Sequence, residues 1–282
     1  MIKEINREIL RLAIPSILAN ITVPLVGMID IAVAGHLTDI GSATLIGGIA
    51  IGSTLFDLLY WNFAFLRVGT GGLTAQAFGS KDNRRCAQIL FRGVSLSLLF
   101  SVLLIAVQWL FLNLAFLFID CSDQVRQLAC RYFNIRIWAA PATLSLMALK
   151  GWFIGMQDSF SSMVTDIVVN GVNIAGSIIF TMGLGSWKGM GYDGIALGTV
   201  VAQYTGLFTS FCFIIIRYRG LFRNLSLSDI KGLMMSNERK SFASMNMDLF
   251  IRSLCFISIY IGQGKVSEQS PVTDYNKTER CK

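Results

Sequence analysis

The stretch AIPSILANITVPLVGMIDIAVAG, residues 13–35, decides the fold class because it is mainly apolar and long enough to cross a membrane. About 20 such residues span the hydrocarbon core of a bilayer as a helix. Asp30 is the one acid in the stretch, and a carboxylate at that depth costs at least a few kcal/mol unless it faces a cavity or carries an ion. Coupled transport is therefore the first hypothesis. The alternative is an acid that a neighbouring helix satisfies and that has no transport role.

The composition of the whole chain also indicates a membrane protein. Hydrophobic residues make up 54% of the chain and charged residues only 15%, whereas soluble domains carry about 25% charged residues. Long apolar runs alternate with short charged connectors, which is the hydropathy pattern of a polytopic helical protein. This pattern predicts six full membrane spans, at about residues 13–35, 46–66, 94–119, 132–154, 163–185 and 193–216.

The basic residues predict the orientation. They cluster before the first span, between the second and third, and after the sixth, in order Lys3, Arg7, Arg11, Lys81, Arg84, Arg85, Arg92, Arg217, Arg219 and Arg223. The positive-inside rule then places the N-terminus in the cytoplasm. We expect a multi-pass protein of the cytoplasmic (inner) membrane. The same rule accounts for the net charge of +7 without a nucleic-acid partner. No phosphate-binding loop, nucleophile elbow or HExxH motif appears, so the sequence predicts no enzyme and no cofactor.

The fifth predicted span carries a polar stripe. Asp166, Asn170, Asn173 and Ser177 follow spacings of four, three and four residues, which places them on one helix face. Such a face turns toward the bundle interior or a wet cavity, because lipid offers no hydrogen-bond partners. Two readings stay open, a cavity lining and helix–helix adhesion by hydrogen bonds. In the sixth span, Thr199 and Gln203 form a second polar pair at i and i+4.

Prolines and glycines predict bent, closely packed helices. Pro15 and Pro24 each remove a backbone hydrogen bond from the first span, and a proline kink serves as a hinge or as a static bend. Residues 67–72, RVGTGG, predict tight packing or a broken turn after the second span. Small residues in that span allow close backbone approach, namely Gly47, Gly48 and Gly52.

Asp57 is a second acid within an apolar run, LFDLLYW. The sequence predicts that it is buried and leaves two roles open. It either pairs with Arg67, ten residues further along, or acts as an accessory titrating group.

Four ordered segments resemble the multidrug and toxin extrusion (MATE) transporters, and the DinF-like branch in particular. They are MIDIAVAGHL at 28–37, FLRVGTGGLTAQAFGSKD at 65–82, RIWAAPATLSLMALKGWFIGMQDS at 136–159 and GIALGTVVAQY at 194–204. The resemblance covers roughly residues 8–218. It implies an all-α membrane fold of two six-helix lobes, and antiport of protons or sodium ions against amphipathic, cationic drugs by alternating access.

The resemblance also implies a cation site. The family's coupling acid falls on Asp30 and its bend-forming proline on Pro15. The fifth-helix motif Asn-Ile-x-Leu-Asp reads NIAGS here, so Asn173 matches the asparagine and Ser177 stands where the family has aspartate. The sixth-helix threonine falls on Thr199. Asp30, Asn173, Ser177 and Thr199 are therefore the predicted coupling residues, with Asn170, Asp166, Asp57 and Gln203 as an accessory cavity.

The missing carboxylate favours a proton over a sodium ion as the coupling ion. One acid with amide and hydroxyl oxygens supplies a single negative charge, and protonation alone removes that charge from the membrane. Asp166 lies about three helical turns from Ser177 and is too distant to replace the lost acid. The expected partners are drug-like cations, H⁺ or Na⁺, and membrane lipid.

The expected organisation is one six-helix lobe plus part of a second. Residues 1–218 form the lobe, 219–245 a cytoplasmic inter-lobe loop, 246–261 the start of a shortened seventh helix, and 262–282 a polar tail that we expect to be disordered. Because a two-lobed chamber needs twelve helices, the sequence predicts that this chain by itself is inactive. The alternatives are a lipid-linked oligosaccharide flippase of the same superfamily and a non-transporting membrane fragment.

Overall fold

A computed structural model describes residues 14, 17, 21–22, 24–37, 42–119, 121–185 and 187–222. Within these residues the fold is almost entirely helical, and the only β structure is an isolated bridge between Leu184 and Trp187. The predicted all-α class is therefore confirmed. The helices, with one 3₁₀ turn at Ile137–Ala139, are α1 (Pro24–Gly35), α2 (Ser42–Trp61), α3 (Ala64–Gly79), α4 (Asn83–Phe118), α5 (Asp123–Arg136), α6 (Ala140–Gly155), α7 (Ser159–Met182), α8 (Tyr192–Arg217) and α9 (Arg219–Phe222).

Five helical segments are long and apolar enough to cross a membrane. They are Ala43–Gly79, Asn83–Leu117, Asp123–Gly155, Ser159–Met182 and Tyr192–Arg217, and they correspond to predicted spans two to six. The predicted first span is described mainly as the shorter apolar helix Pro24–Gly35. Pro15, the predicted seventh helix and the polar tail lie outside the described residues.

Three predicted spans had the wrong limits. The third span was expected at 94–119, yet its helix α4 begins at Asn83. The second span was expected to end at residue 66, yet α3 continues the helical path to Gly79. A turn at residues 62 and 63 separates α2 from α3, where the Asn62 amide donates to the Leu58 carbonyl instead of exposing its polar atoms. The fourth span was expected at 132–154 but begins at Asp123, because α5 and α6 form one path through the 3₁₀ turn. Pro141, which lacks a backbone N–H, is tolerated there because it lies in the first turn of α6.

Residues 67–72 form part of helix α3 and pack tightly. Of the two predictions for this segment, the broken turn was therefore wrong and the tight packing was confirmed. A Cβ atom added at Gly151 of α6 would lie 2.3 Å from the backbone oxygen of Arg67, and one at Gly155 would lie 2.7 Å from that of Gly71. Glycines thus bring the α3 and α6 backbones into direct contact. Gly48 and Gly52 of α2 leave room for side chains of α5, because an added Cβ atom would lie 2.7 Å from Cβ of Leu128 and 2.6 Å from Cδ1 of Tyr132.

The core that supports α1 is formed by α2, α5 and α8. Val33 and Ala34 of α1 join a cluster of buried residues with Phe56, Phe133 and Ile195. The rings of Phe56 and Phe133 stack with centroids 4.5 Å apart. This cluster holds one face of α1 against the bundle, next to the acid that the first span carries.

Helices α7 and α8 form a closely packed hairpin. A Cβ atom added at Gly198 would lie 2.6 Å from the backbone nitrogen of Ser177, and one at Gly194 would lie 2.4 Å from the backbone carbon of Phe180. The turn between the helices begins at Gly183, whose φ of 87° lies in the left-handed region that side chains disfavour. Because the two backbones approach this closely, short polar side chains on α7 and α8 can reach each other.

Candidate functional site

Asp30 and Ser177 form a buried hydrogen bond between α1 and α7. The Ser177 hydroxyl donates to Oδ1 of Asp30 over 2.7 Å. Asp30 is 8% exposed and Ser177 is fully buried. The first acid singled out from the sequence therefore meets the serine that stands where the resemblance implies an aspartate.

Asn173 and Thr199 form a second buried pair, between α7 and α8. The Asn173 amide nitrogen donates to the Thr199 hydroxyl over 3.0 Å, and that hydroxyl lies 3.3 Å from the Ile195 carbonyl of its own helix. Oδ1 of Asn173 is buried and has no hydrogen-bond partner among the described residues. An unpaired buried acceptor is costly, so this oxygen is suited to a donor or a cation that the site takes up.

The two pairs lie one helical turn apart along α7. Asn173 and Ser177 are four residues apart, which corresponds to about 6 Å of helix rise. Three helices thus contribute oxygen atoms to one buried region, which contains the carboxylate of Asp30, the hydroxyls of Ser177 and Thr199, and the free amide oxygen of Asn173. All four predicted coupling residues are brought together there. Their role in coupling stays a prediction.

The predicted accessory residues do not gather around this region. Asp166 forms an ion pair with Lys150 of α6, and both side chains are about one-fifth exposed. Asn170 donates to the hydroxyl of Thr22. Gln203 is half-buried on α8. The polar side chains of the α7 stripe contact α6, α8 and two positions of the first span, so the stripe joins α7 to its surroundings as well as lining the site.

The prediction that Asp57 is buried was wrong. Asp57 is exposed on α2, and no ion pair between described residues joins it to Arg67. The stretch LFDLLYW is apolar except for this acid, and such a stretch does not specify which face of the helix the acid lies on. On α2 that acid lies on the face opposite Leu55, Phe56 and Leu59, which supply the core.

Arg136 is the residue that sequence reasoning missed. Its guanidinium lies within electrostatic range of both Asp30 and Asp57. It sits 4.8 Å above the Phe56 ring and donates to the Tyr132 hydroxyl over 2.9 Å. The sequence pattern that could have identified Arg136 is an arginine near the start of an apolar span, four residues after a tyrosine. That spacing indicates a side chain held against an aromatic ring on its own helix.

The described residues contain no group of three or more His, Cys, Asp or Glu side chains arranged to hold a metal ion. Around Asp30 the described residues supply one carboxylate, neutral hydroxyl and amide oxygens, and the charge of Arg136 within electrostatic range. A proton can neutralise such a site by itself, whereas a sodium ion would rely on the hydroxyl and amide oxygens to complete its ligands.

Comparison with known proteins identifies relatives of this chain. The family model described as MatE matches residues 15–179. DNA damage-inducible protein F of Escherichia coli is 34% identical over 262 residues, which cover 91% of this chain and 54% of that protein. Multidrug resistance protein MdtK of Klebsiella pneumoniae is 27% identical over 221 residues, 76% of this chain and 46% of the relative. The chain spans about half the length of the curated relatives it matches.

Solved structures share the fold. A crystal structure of MATE in the bent conformation superposes with a TM-score of 0.74 at 19% identity, over 92% of this chain and 55% of that one. The eukaryotic MATE transporter AtDTX14 superposes with a TM-score of 0.72 at 16% identity. At these identities the likeness concerns the path of the helices.

Proposed function

This chain belongs to the MatE family, and on that premise we propose that it forms one six-helix lobe of a cation-coupled antiporter that exports amphipathic cationic drugs. Its homologues include multidrug resistance proteins, and members of this family are transporters rather than enzymes. The proposed coupling group is Asp30, and the proposed ion is a proton.

The observation that carries this proposal is the hydrogen bond between Ser177 and Asp30. It joins α1 to α7 through a buried carboxylate, which is costly in a membrane-spanning bundle unless it serves an ion. Protonation neutralises Asp30 and removes the strongest reason for Ser177 to point its hydroxyl proton at that oxygen. The link between α1 and α7 then weakens, which gives a physical route from ion binding to helix movement.

Arg136 supports the same mechanism. Its charge interacts with the ionised form of Asp30 and loses that interaction when the acid is protonated. Two polar interactions that favour the present position of α1 therefore depend on one proton. The predicted hinge at Pro15 would let α1 respond, and this role of Pro15 stays a prediction.

The acidic and amide character of the site favours a cationic substrate. Near Asp30 the described charged groups are one acid and one arginine, with neutral oxygens from α7 and α8. A flippase for a lipid-linked pyrophosphate would need several cations at this place. We also propose an inner-membrane location with a cytoplasmic N-terminus, which the basic residues Lys81, Arg84 and Arg85 at the start of α4 support.

Efflux from proteoliposomes tests the proposal. The chain would be assayed by itself and as a chimera in which residues 1–218 replace the corresponding half of the Escherichia coli relative. We expect the chimera to export a fluorescent cationic dye when a pH gradient is imposed, and the chain by itself to be inactive. Replacing the pH gradient with a sodium gradient identifies the coupling ion.

The decisive variant is Asp30→Asn in the chimera. We expect it to abolish pH-driven export, because the amide cannot take up and release a proton. Asp123→Asn, the same chemical change at an exposed acid at the beginning of α5, should retain export. Export by Asp30→Asn at the parental rate would overturn the proposal, and robust export by the chain alone would overturn the expectation that it is inactive.

A further inference from the structure

An apolar groove of about 570 Å³ lies between α4 and α8, away from the Asp30 site. Leu90 and Ile214 are buried in its floor, while Phe91, Phe211 and Ile215 form partly exposed walls. The one charged residue that lines it is Arg219 of α9, at one end. Its volume lies within the range of about 300–1,000 Å³ that is typical of ligand pockets.

The groove opens on a surface suited to hydrocarbon. In the most apolar window of α4, only 11% of the residues are buried inside the bundle. Leu98, Leu99 and Val102 of α4 are exposed beyond the groove. In a chain that spans a membrane, an exposed apolar helix face lies against lipid tails, so the occupant of the groove has an acyl chain.

The charged end of the groove is held in place by side chains that gather around the buried Asp158. The Tyr218 hydroxyl donates to Oδ2 of Asp158 over 2.8 Å, and the Arg217 guanidinium lies 3.1 Å from Oδ1 of the same acid. The Tyr218 ring packs against Trp152, whose indole N–H donates to the Cys86 carbonyl near the start of α4. The end of α8 and the beginning of α4 are therefore at the same end of the bundle.

The charges at this end favour an anion. Arg217 is neutralised by Asp158, whereas no ion pair between described residues engages Arg219. Lys81, Arg84 and Arg85 add further positive charge at the beginning of α4, where Asp82 is the neighbouring acid. Basic pockets between membrane helices at the membrane surface recognise anionic lipid head groups.

We propose that an anionic phospholipid binds in this groove, with one acyl chain between α4 and α8 and its phosphate at Arg219. The apolar floor of the groove binds the acyl chain of the lipid, and Arg219 favours a negatively charged head group. This inference rests on the membrane-spanning fold and does not depend on the coupling role of Asp30. Its failure would leave the proposed transport function untouched.

Native mass spectrometry of the 282-residue chain in detergent tests the proposal. Phosphatidylglycerol and phosphatidylcholine with identical acyl chains would be titrated separately. We expect clear retention of phosphatidylglycerol over phosphatidylcholine, and a loss of about fivefold in phosphatidylglycerol binding for Arg219→Gln, as expected for one arginine near a lipid phosphate. Arg126→Gln, at the other end of the bundle beside Phe116, is the matched control and should bind like wild type.

Val94→Trp tests the groove itself, because Val94 lines it and a tryptophan fills the space for the acyl chain. We expect this variant to lose both lipids while Arg219 is unchanged. Equal retention of the two lipids by wild type, or unchanged binding by Arg219→Gln, would overturn the charge assignment. Wild-type binding by Val94→Trp would overturn the location.

Two further outcomes would identify a different occupant and overturn the proposal. Displacement of phosphatidylglycerol by inorganic phosphate would indicate a free-phosphate site, and a change of oligomeric mass in Val94→Trp would indicate a second copy of the chain. Circular dichroism and size-exclusion profiles verify that each variant is folded. If Val94→Trp fails this control, Ile215→Ser replaces it and should weaken binding of both lipids.

Discussion

The Ser177 hydroxyl donates a 2.7 Å hydrogen bond to the Asp30 carboxylate across 147 residues of sequence. Where the resemblance to the DinF-like branch implies a second acid, this chain has a hydroxyl that donates a hydrogen bond to the first one. One proton is then enough to neutralise the site, and the same proton acts on the contact between α1 and α7.

Ser177→Asp in the chimera should create a sodium-responsive site. Two carboxylates within hydrogen-bond distance cannot both ionise easily, so a bound cation becomes favourable between them. We expect a sodium gradient to stimulate dye export by this variant and not by the parent, in the proteoliposome assay. In Ser177→Asn the new side chain has the shape of aspartate but no charge, and this variant should show no response to sodium. Absence of stimulation in Ser177→Asp would contradict this account of the serine.

Gly151→Ala should destabilise the bundle by about 1–3 kcal/mol, the usual cost of overpacking. The added Cβ would lie 2.3 Å from the Arg67 backbone oxygen, and a helix backbone cannot yield as a flexible side chain does. Thermal unfolding in detergent measures the change. Gly72→Ala is the matched control on the partner helix, because nothing lies within 4 Å of its added Cβ. It should stabilise by about 0.5–1 kcal/mol, and equal effects of the two variants would refute the packing argument.

Asp166→Leu should destabilise the fold by roughly 2–4 kcal/mol, because it leaves the Lys150 ammonium without its partner in a membrane-spanning segment. The double variant Lys150→Met with Asp166→Leu should recover most of this loss, since it removes both charges together. Unfolding midpoints of the single and double variants give the coupling energy. Additive effects would show that the pair contributes no interaction.

The same double variant decides whether Asp166 belongs to the coupling site. Asp166 is neutralised by Lys150 and lies away from Asp30, so we expect the double variant of the chimera to retain pH-driven export. Loss of pH dependence with a folded protein would assign Asp166 a coupling role, as the predicted accessory cavity requires.

Stability should fall at alkaline pH through Tyr218. Burial raises the pKa of its phenol, and its hydrogen bond to the Asp158 carboxylate raises that pKa further. Below about pH 10, the unfolded-state value, the folded and unfolded chains both hold this proton and the stabilisation is complete. As the pH rises above about 10, the unfolded chain releases the proton first, so the stabilisation is progressively lost toward the raised folded-state pKa.

Unfolding midpoints measured between about pH 8 and 11 test whether stability falls as the pH rises. Tyr218→Phe should flatten the alkaline decline because it removes the titrating group. Ser161→Ala removes another donor to Asp158 without removing a phenol, and it should keep the wild-type slope. A Tyr218→Phe variant with an unchanged slope would contradict the assignment.

Much of the fold was predictable because it depends on local patterns. Apolar runs identified spans two to six, and the spacing of Asn173 and Ser177 placed both on one face of α7. The limits of the second, third and fourth spans were wrong because α3, the beginning of α4 and α5 extend the helical paths with residues too polar for a hydropathy pattern to include. A helix in a bundle can continue past its apolar run when neighbouring helices satisfy its polar residues.

The candidate site was predictable in its members but not in its contacts. Resemblance and spacing together indicated Asp30, Asn173, Ser177 and Thr199, whereas nothing in the sequence specified that Asp30 meets Ser177 while Asn173 meets Thr199. The errors about Asp57 and Arg136 also arise because contacts between distant residues cannot be derived from the sequence. Asp57 was expected to be buried and is exposed, and Arg136, which was not proposed for the site, approaches Asp30.

The membrane-spanning helical class, the polar face of α7 and the family follow from the order of residues alone, because hydropathy, helical periodicity and motif order are properties of neighbouring residues. The partners of Asp30, the ion pair of Asp166 with Lys150 and the groove that ends at Arg219 follow from how the helices pack. These contacts depend on how far each helix is rotated and how closely two backbones approach. Packing across the whole bundle sets both, with the glycines of α6 and α8 allowing the closest contacts.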